Sequence, residues 1–207
     1  MDPKIITDTI SPWKESAYFA DAERLMHVFW SENSRFYNAF QTLDLSATLE
    51  LACGKGRHSE MVAPMAGILT LVDVFPEHLI DCITRLQGKN NVAYVVCNGY
   101  TFEAVASASQ TAVFCYDAMV HFAPEIVASY LQEIGRVLKP GGRALLHHSN
   151  YDGPQGVHYG QNPHARNRMN LDLFASYART AGLQVESSVA LGWGGVDDLD
   201  GMTVLVK

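Results

Sequence analysis

The sequence lacks the features that mark several functional classes. It has no run of lysine or arginine, and 22 acidic residues outnumber 15 basic ones, which gives a formal net charge of −7. A protein that grips a nucleic-acid backbone usually carries a basic patch that neutralises phosphates. No apolar run approaches the roughly 20 residues that cross a bilayer. We therefore expect neither nucleic acid nor a membrane as a partner.

The four cysteines form no metal-binding pattern. They stand at positions 53, 82, 97 and 115 without CxxC spacing, and no HExxH motif is present, so we predict no metal site. Free cysteines usually pack as small hydrophobic residues, and they suit a reducing compartment. The first 15 residues lack the basic and apolar regions of a signal peptide. We expect a cytoplasmic protein.

The chain does contain a regular alternation of strand and helix patterns. Apolar strand patterns alternate with amphipathic helix patterns, which is typical of an α/β fold whose mostly parallel sheet carries helices on both faces. A length of 207 residues suits one domain. Strands are predicted at 47–51, 67–72, 92–96, 111–116, 143–147, 185–191 and 202–206. Helices are predicted at 58–66, 76–86, 102–108, 124–138 and 171–180.

The first 45 residues precede this alternation. Ser11-Pro12 predicts a helix start, because a capping hydroxyl is followed by proline at the first helical position. An aromatic and aliphatic stripe follows over 13–30. We predict a short helical cap (1–45) on an α/β core (46–207). Its aromatic side chains could cover a site or form a contact in a homodimer.

The strongest motif is LELACGKGRH, residues 49–58. Glu50 ends a strand, and Gly54 and Gly56 then form a turn that opens a helix. Such a turn lies at the carboxyl end of a parallel strand, where ligands bind in open α/β sheets. The dinucleotide fingerprint G-x-G-x-x-G fails, because Ser59 stands at the third glycine position.

Four further segments follow in order. Asp73 ends the second strand, where a carboxylate can accept ribose hydroxyls. The others are VVCNGY after the third strand, FCYDAMVHF around the end of the fourth, and RVLKPGG before the fifth. Together the five segments resemble class I S-adenosylmethionine-dependent methyltransferases over residues 45–150, and the closing strands extend the likeness to residue 207. Ala52 replaces the usual glycine of that family, and Asn98 the more common aspartate.

The resemblance implies a seven-stranded Rossmann-like sheet with an antiparallel closing strand, S-adenosylmethionine as cofactor and S-adenosylhomocysteine as product. It also implies the cofactor contacts. The methionine part would be lined by Glu50, Ala52, Cys53, Gly54 and Gly56, the ribose by Asp73, and the adenine by Val74, Phe75, Asn98 and Gly99, while Cys115 or Tyr116 would pass under the sulfonium.

Methyl transfer from a sulfonium is an in-line displacement, and a hydroxyl or amine acceptor must also lose a proton. Histidine is the natural base. The candidates are His121 after the fourth strand, and His147 and His148 at the end of the fifth. Because neighbouring residues of a strand point to opposite faces, only one of His147 and His148 can face a pocket. Polar residues around a long loop predict a small polar acceptor, such as a sugar or a hydroxylated metabolite. The predicted acceptor-binding residues are Asp117, Asn150, Tyr151, His164, Arg166 and Trp193.

Two alternatives stay open from the sequence. One is a Rossmann oxidoreductase that uses a nicotinamide cofactor. The other is a protein that binds S-adenosylmethionine without catalysing a reaction.

Overall fold

The computed structural model describes residues 1–154 and 156–207. The strands are β1 Ala47–Leu51, β2 Ile68–Asp73, β3 Val92–Val96, β4 Gln110–Cys115, β5 Leu138–Ser149, β6 Gln184–Trp193 and β7 Val196–Val206. They form one sheet in the order β3-β2-β1-β4-β5-β7-β6. The pairs among β1 to β5 are parallel, whereas β7 is antiparallel to both β5 and β6. The predicted fold class is confirmed.

The helices are α1 Pro3–Ile10, α2 Tyr18–Arg24, α3 Met26–Trp30, α4 Arg35–Phe40, α5 Arg57–Val62, α6 Pro76–Arg85, α7 Pro124–Val137 and α8 Leu171–Thr180. Their starts follow local rules. Proline opens α6 and α7, where its missing N–H costs nothing. The Asn170 side chain accepts a hydrogen bond from the Leu173 N–H at 2.8 Å and caps α8.

The helix predicted at 102–108 is wrong. That segment forms turns, with Phe102 and Val105 buried in the core. Polar groups of α7 hold its backbone in place: the Phe102 N–H donates to Glu133 Oε2 at 3.0 Å, and Arg136 Nη1 donates to the Val105 carbonyl at 2.7 Å. These tertiary bonds satisfy backbone groups that a helix would have paired internally.

Two apolar layers cover the two faces of the sheet. Helices α7 and α8 pack against one face through Ile126, Leu131, Ile134 and Phe174. The other face is covered by the cap helices and by α5 and α6, through Phe29, Phe36, Phe40, Val62 and Leu79. Burial on both faces explains why β1, β2 and β4 carry apolar residues on both sides of the strand.

The first 24 residues lie across the carboxyl ends of the strands. A Cβ at Gly54 would lie 2.8 Å from Phe19 Cε1, and one at Gly99 would lie 3.1 Å from Ile6 Cγ2. Helix α1 was not among the sequence predictions, and Ser11–Trp13 is a short 3-10 turn rather than a helix start. Over the part of the chain that is described, no helix has the length and apolar character to cross a membrane.

Candidate functional site

A cavity lies where β1, β2 and β4 end, between the sheet and the first 24 residues. Eight of the twelve predicted cofactor residues line it: Ala52, Cys53, Gly54, Asp73, Val74, Phe75, Gly99 and Tyr116. The other four do not line it: Glu50, Gly56, Asn98 and Cys115. The predicted cleft and the observed cavity therefore coincide at the carboxyl edge of the sheet.

The turn after β1 has an unusual backbone. Ala52, Gly54 and Gly56 all adopt positive φ values, of 56°, 54° and 81°. Glycine adopts this region freely, but alanine pays a steric penalty there. A Cβ at Gly56 would also lie 3.0 Å from Cys82 Sγ, so the turn packs closely on α6.

Asp73 connects this turn to the second strand. Its Oδ2 accepts the Gly54 N–H at 2.8 Å, and its Oδ1 accepts the Phe75 N–H at 2.9 Å. His78 Nδ1 lies 3.4 Å from Oδ1, and His78 Nε2 lies 3.1 Å from the Lys14 carbonyl oxygen. Burial opposes a charge on His78, but these two acceptors outweigh it and raise the pKa of the imidazole. His78 therefore joins the floor of the cavity to the cap.

Glu50 and Asn98 do not line the cavity, but they contact the segments that form it. The Ser59 hydroxyl donates to Glu50 Oε2 at 2.5 Å, and burial raises the pKa of Glu50 to about 8. The Asn98 side chain is exposed and accepts the N–H groups of Tyr100 and Thr101. It shapes the turn that presents Gly99 to the cavity.

Asp117 stands at the other end of the cavity with φ 60°. Its Oδ2 accepts hydrogen bonds from the Tyr18 hydroxyl and from Arg57 Nη2, both at 2.6 Å. Its Oδ1 is buried and has no partner among residues 1–154 and 156–207. An acceptor atom inside the protein is thus left for a ligand.

His121 alone of the three candidate bases lines the cavity. Its Nδ1 lies 2.8 Å from the Ala165 carbonyl oxygen, which can only accept, so Nδ1 carries the proton. Burial lowers the pKa of His121 to about 4, against a smaller opposing effect of that hydrogen bond. The ring also packs against Trp13 in a tilted arrangement, with 4.2 Å between centroids. His121 is therefore neutral near pH 7, with Nε2 as an acceptor.

The structure places His147 and His148 outside the cavity. His147 Nε2 lies 3.1 Å from Asp200 Oδ2, and His147 Nδ1 accepts the Asp117 N–H at 3.1 Å. His148 points to the opposite face, where it stacks on Phe174 at 3.6 Å between centroids. Burial lowers the pKa of His148 to about 3. His147 supports Asp117 from behind, and His148 packs in the core.

The predicted loop residues also lie away from the cavity. Arg166 is buried, and its guanidinium donates twice to Asp200 and once to the His164 carbonyl, so it is not free to bind an anion. Trp193 stacks on Phe29 with ring centroids 5.9 Å apart. Asn150 bonds to backbone groups of 171 and 198. Tyr151 pairs with position 168 through a backbone bridge.

The sequence itself matches a known family. Residues 48–142 match the family model described as a methyltransferase domain. The match covers 95 of the 207 residues and supports the predicted class I S-adenosylmethionine-dependent methyltransferase. No curated protein matches its sequence.

Several solved structures of other proteins share this fold. One is a Leishmania major S-adenosylmethionine-dependent methyltransferase, at TM-score 0.76 and 12% identity over 99% of this chain and 85% of that one. Another is a geranyl diphosphate C-methyltransferase from Streptomyces coelicolor A3(2), solved with Mg²⁺, geranyl diphosphate and S-adenosylhomocysteine, at 0.70 and 15% over 99% and 97%. A third is the [4+2]-cyclase SpnF, at 0.67 and 14% over 98% and 94%. At these identities the likeness establishes the fold alone.

The cavity suits S-adenosylmethionine. Each carboxylate oxygen of Asp73 has two acceptor positions, and Oδ2 uses one of them for the Gly54 N–H. The other can accept a ribose hydroxyl. Gly54 and Gly99 leave no room for a side chain, because Phe19 and Ile6 of the N-terminal segment pack on the backbone at these two points.

Several residues that line the cavity were missed by sequence reasoning. Thr9, Trp13, Tyr18 and Phe19 reach the cavity from the cap, and Arg57, His58 and His78 reach it from α5 and α6. The signal for the helix residues was available, because Arg57 and His58 directly follow the Gly56 turn. The cap residues carried no motif, and only the tertiary fold brings them to the site.

Proposed function

We propose that this methyltransferase transfers a methyl group to a hydroxyl of a small molecule, with His121 as the general base. The observation that carries the proposal is the fixed tautomer of His121. Its Nδ1–H is tied to the Ala165 carbonyl, which leaves the Nε2 lone pair as a proton acceptor in a residue that lines the cavity.

The basicity of His121 favours oxygen over nitrogen as the methylated atom. With a pKa of about 4, His121 is a weak base. A hydroxyl becomes strongly acidic as its oxygen is methylated, so a weak base suffices to remove its proton. A methylated alkylamine keeps its proton near neutral pH and would not pass it to such a base. An amine acceptor, which the sequence left equally open, is therefore the second choice.

The wall of the cavity favours an acceptor with a flat apolar body. Trp13, Tyr116 and Phe122 all line it, and aromatic rings offer broad apolar contact. The loop residues that favoured a sugar lie elsewhere: Arg166 is paired with Asp200. A hydroxylated, partly aromatic metabolite fits better than a sugar.

The remaining parts of the proposal concern partners and setting. Trp13 of the cap packs against His121. This contact supports covering the site, rather than forming a homodimer contact, as the role of the cap residues up to 24. With this segment acting on the core, residues 1–207 are best described as one domain. The four cysteines are free, which supports the cytoplasm as its location. A small molecule, rather than nucleic acid, fits the net charge of −7.

The test is a matched acceptor panel with S-adenosylhomocysteine release as the readout. Phenol and benzyl alcohol are compared with aniline and benzylamine. We expect the hydroxyl compounds to be methylated faster. In His121→Asn the amide can still donate to the Ala165 carbonyl, yet no imidazole remains. We expect turnover to fall roughly 10²- to 10⁴-fold while calorimetric affinity for S-adenosylmethionine is unchanged.

The matched control is His164→Asn. His164 is exposed, lies outside the cavity and has φ 48°, a conformation that asparagine tolerates. We expect its turnover to equal that of wild type. Full turnover in His121→Asn would refute the base, and faster methylation of the amines would refute the choice of oxygen.

A further inference from the structure

We propose that Asp117 selects the acceptor: the molecule that is methylated carries a second, neutral hydrogen-bond donor, which binds Asp117 Oδ1. This inference rests on the proposed function, since it concerns the same acceptor. It adds a requirement on the chemical class, which becomes diols, hydroxyamides and similar molecules with two donors.

The first support is how firmly Asp117 is held. Tyr18 and Arg57 both donate to Oδ2 at 2.6 Å. The backbone adopts φ 60°, which side-chain-bearing residues rarely do. The N–H of Asp117 donates to His147 Nδ1, and His147 donates in turn to Asp200. A strained conformation persists only where its surroundings fix it in this way, and such residues cluster at functional sites.

The second support is the oxygen that these contacts leave over. The Asp117 side chain is only 1% exposed, and Oδ1 receives no hydrogen bond from the described residues. A buried carboxylate oxygen without a donor is costly. Because Asp117 lines the cavity, a donor on a bound molecule can remove that cost.

The charge of Asp117 sets the kind of donor. Arg57 Nη2 already forms an ion pair with Oδ2, so the pair is close to neutral as a whole. An ammonium group on the acceptor would meet the Arg57 charge as well as that of Asp117. A neutral hydroxyl or amide N–H gains the hydrogen bond without this repulsion.

Two acceptor atoms in one cavity require two donors on the ligand. His121 Nε2 and Asp117 Oδ1 both accept, and a hydroxyl group carries one proton to donate. The reacting hydroxyl gives its proton to His121. A separate group must therefore serve Asp117, and an acceptor that lacks it leaves Oδ1 unpaired. Such a site rejects analogues that lack the second donor.

The test measures binding rather than turnover. The protein is saturated with S-adenosylhomocysteine, and the affinities of phenol and of benzene-1,2-, 1,3- and 1,4-diol are measured by calorimetry. The three diols sample the spacing of the two donors. We expect at least one diol to bind roughly 10-fold or more tightly than phenol. If no diol exceeds phenol, the proposal is overturned.

Asp117→Asn is the decisive variant. Its amide oxygen can keep the hydrogen bonds from Tyr18 and Arg57, and its NH₂ group then replaces Oδ1, which turns an acceptor into a donor. We expect the advantage of the diol over phenol to fall to about 2-fold or less, with affinity for S-adenosylhomocysteine unchanged. An advantage that survives in this variant overturns the proposal.

A second variant covers the case in which Asp117→Asn does not fold. Tyr18→Phe removes one of the two donors that hold the Asp117 carboxylate in place and leaves the Arg57 ion pair. Because Oδ1 is then positioned less firmly, we expect a reduced but measurable diol advantage. An unchanged advantage would count against the proposal.

The proposed base and the proposed selector can be refuted independently of each other. If His121→Asn keeps full turnover, the base is wrong whatever the diols do. If the diols show no advantage, Asp117 is not the selector, whatever His121→Asn shows.

Discussion

Arg166 and Asp200 form a buried two-point ion pair, in which Arg166 Nε donates to Oδ1 and Nη2 to Oδ2, each at 2.7 Å. His147 donates to the same carboxylate. Burial works against the charge of Asp200, but the hydrogen bonds from His147 and Arg166 outweigh it and lower its pKa to about 2. The pair links the loop before α8 to strand β7. Through His147, it also connects to Asp117 in the cavity.

Asp200→Asn should destabilise the protein strongly, because it leaves the Arg166 charge buried without a counter-ion. We expect a loss of about 3–5 kcal/mol in the free energy of unfolding, measured by urea denaturation at pH 7. The control is Glu186→Gln, which breaks the exposed pair with Arg143 and should cost at most about 1 kcal/mol. Equal losses in the two variants would contradict the buried pair.

Glu50 should make the unliganded protein less stable as pH rises. Its pKa is about 8 in the folded chain, against about 4.3 when unfolded. Between these values the folded chain holds a proton that the unfolded chain has lost, so stability is full below the unfolded pKa and falls as pH rises toward 8. Glu50→Gln should reduce the stability difference between pH 5 and pH 8.5 by on the order of a few kcal/mol.

Chemical denaturation at the two pH values measures this effect of Glu50. Glu125→Gln, on the exposed surface of α7, is the control and should leave the difference as in wild type. If Glu50→Gln behaves in the same way, Glu50 is ionised in the folded state.

Ala52→Gly should stabilise the turn after β1. Alanine at φ 56° carries a steric cost of about 1–2 kcal/mol, and glycine adds an entropic cost of about 0.5–1 kcal/mol. The expected gain is the difference, about 0 to 1.5 kcal/mol. Ala175→Gly, within α8, should instead lose about 0.5–1 kcal/mol. Thermal unfolding of both variants distinguishes the two signs, and a loss at position 52 would contradict the strain.

The regular elements could be predicted because their signals are local. The bounds of β1, β3 and α8 were predicted to the residue from their apolar strand patterns and amphipathic helix pattern. The segment 102–108 failed because bonds to Glu133 and Arg136, some 30 positions away, decide its backbone. Local propensity has no access to such contacts.

The sequence predicted the part of the candidate site that the strand ends form, but not the part that residues 1–24 form. The turn at Gly54 and the carboxylate of Asp73 follow from motifs. The contact of Tyr18 with Asp117 spans 99 positions and follows from no pattern. The choice among the histidines also needed the fold, since strand alternation shows that His147 and His148 face opposite ways but does not show that both lie outside the cavity.

Asp73→Asn should weaken binding of S-adenosylmethionine by roughly 10- to 100-fold, since an amide offers ribose hydroxyls fewer acceptor positions. Calorimetry measures the loss, with NAD as a ligand that should not bind. The control is Asp81→Asn, on the outer side of α6 with its side chain half exposed, which should bind as wild type does. Wild-type affinity in Asp73→Asn would place the ribose elsewhere.

The acid limb of the pH–rate profile should lie far below that of an ordinary histidine base. The base must be neutral, and the pKa of His121 is about 4, so turnover should hold as pH falls from 8 to about 5 and decline only as pH approaches 4. The measurement is kcat/KM for the best acceptor of the panel, with circular dichroism to confirm that the fold persists. A limb near pH 6.5 would show that His121 is exposed during turnover.

The segment that covers the cavity is held in place by different interactions from those that hold the sheet. Residues 1–24 are fastened by a few polar and ring contacts, such as Tyr18 to Asp117, His78 to the Lys14 carbonyl and Trp13 to His121, whereas the sheet is held by two apolar layers. Amide protons of this segment should exchange with solvent by local opening, at a lower free energy than those of the central strands. We expect the methyl donor to enter and the spent cofactor to leave through this opening, in which case the first two dozen residues, rather than melting of the core, set the rate of ligand exchange.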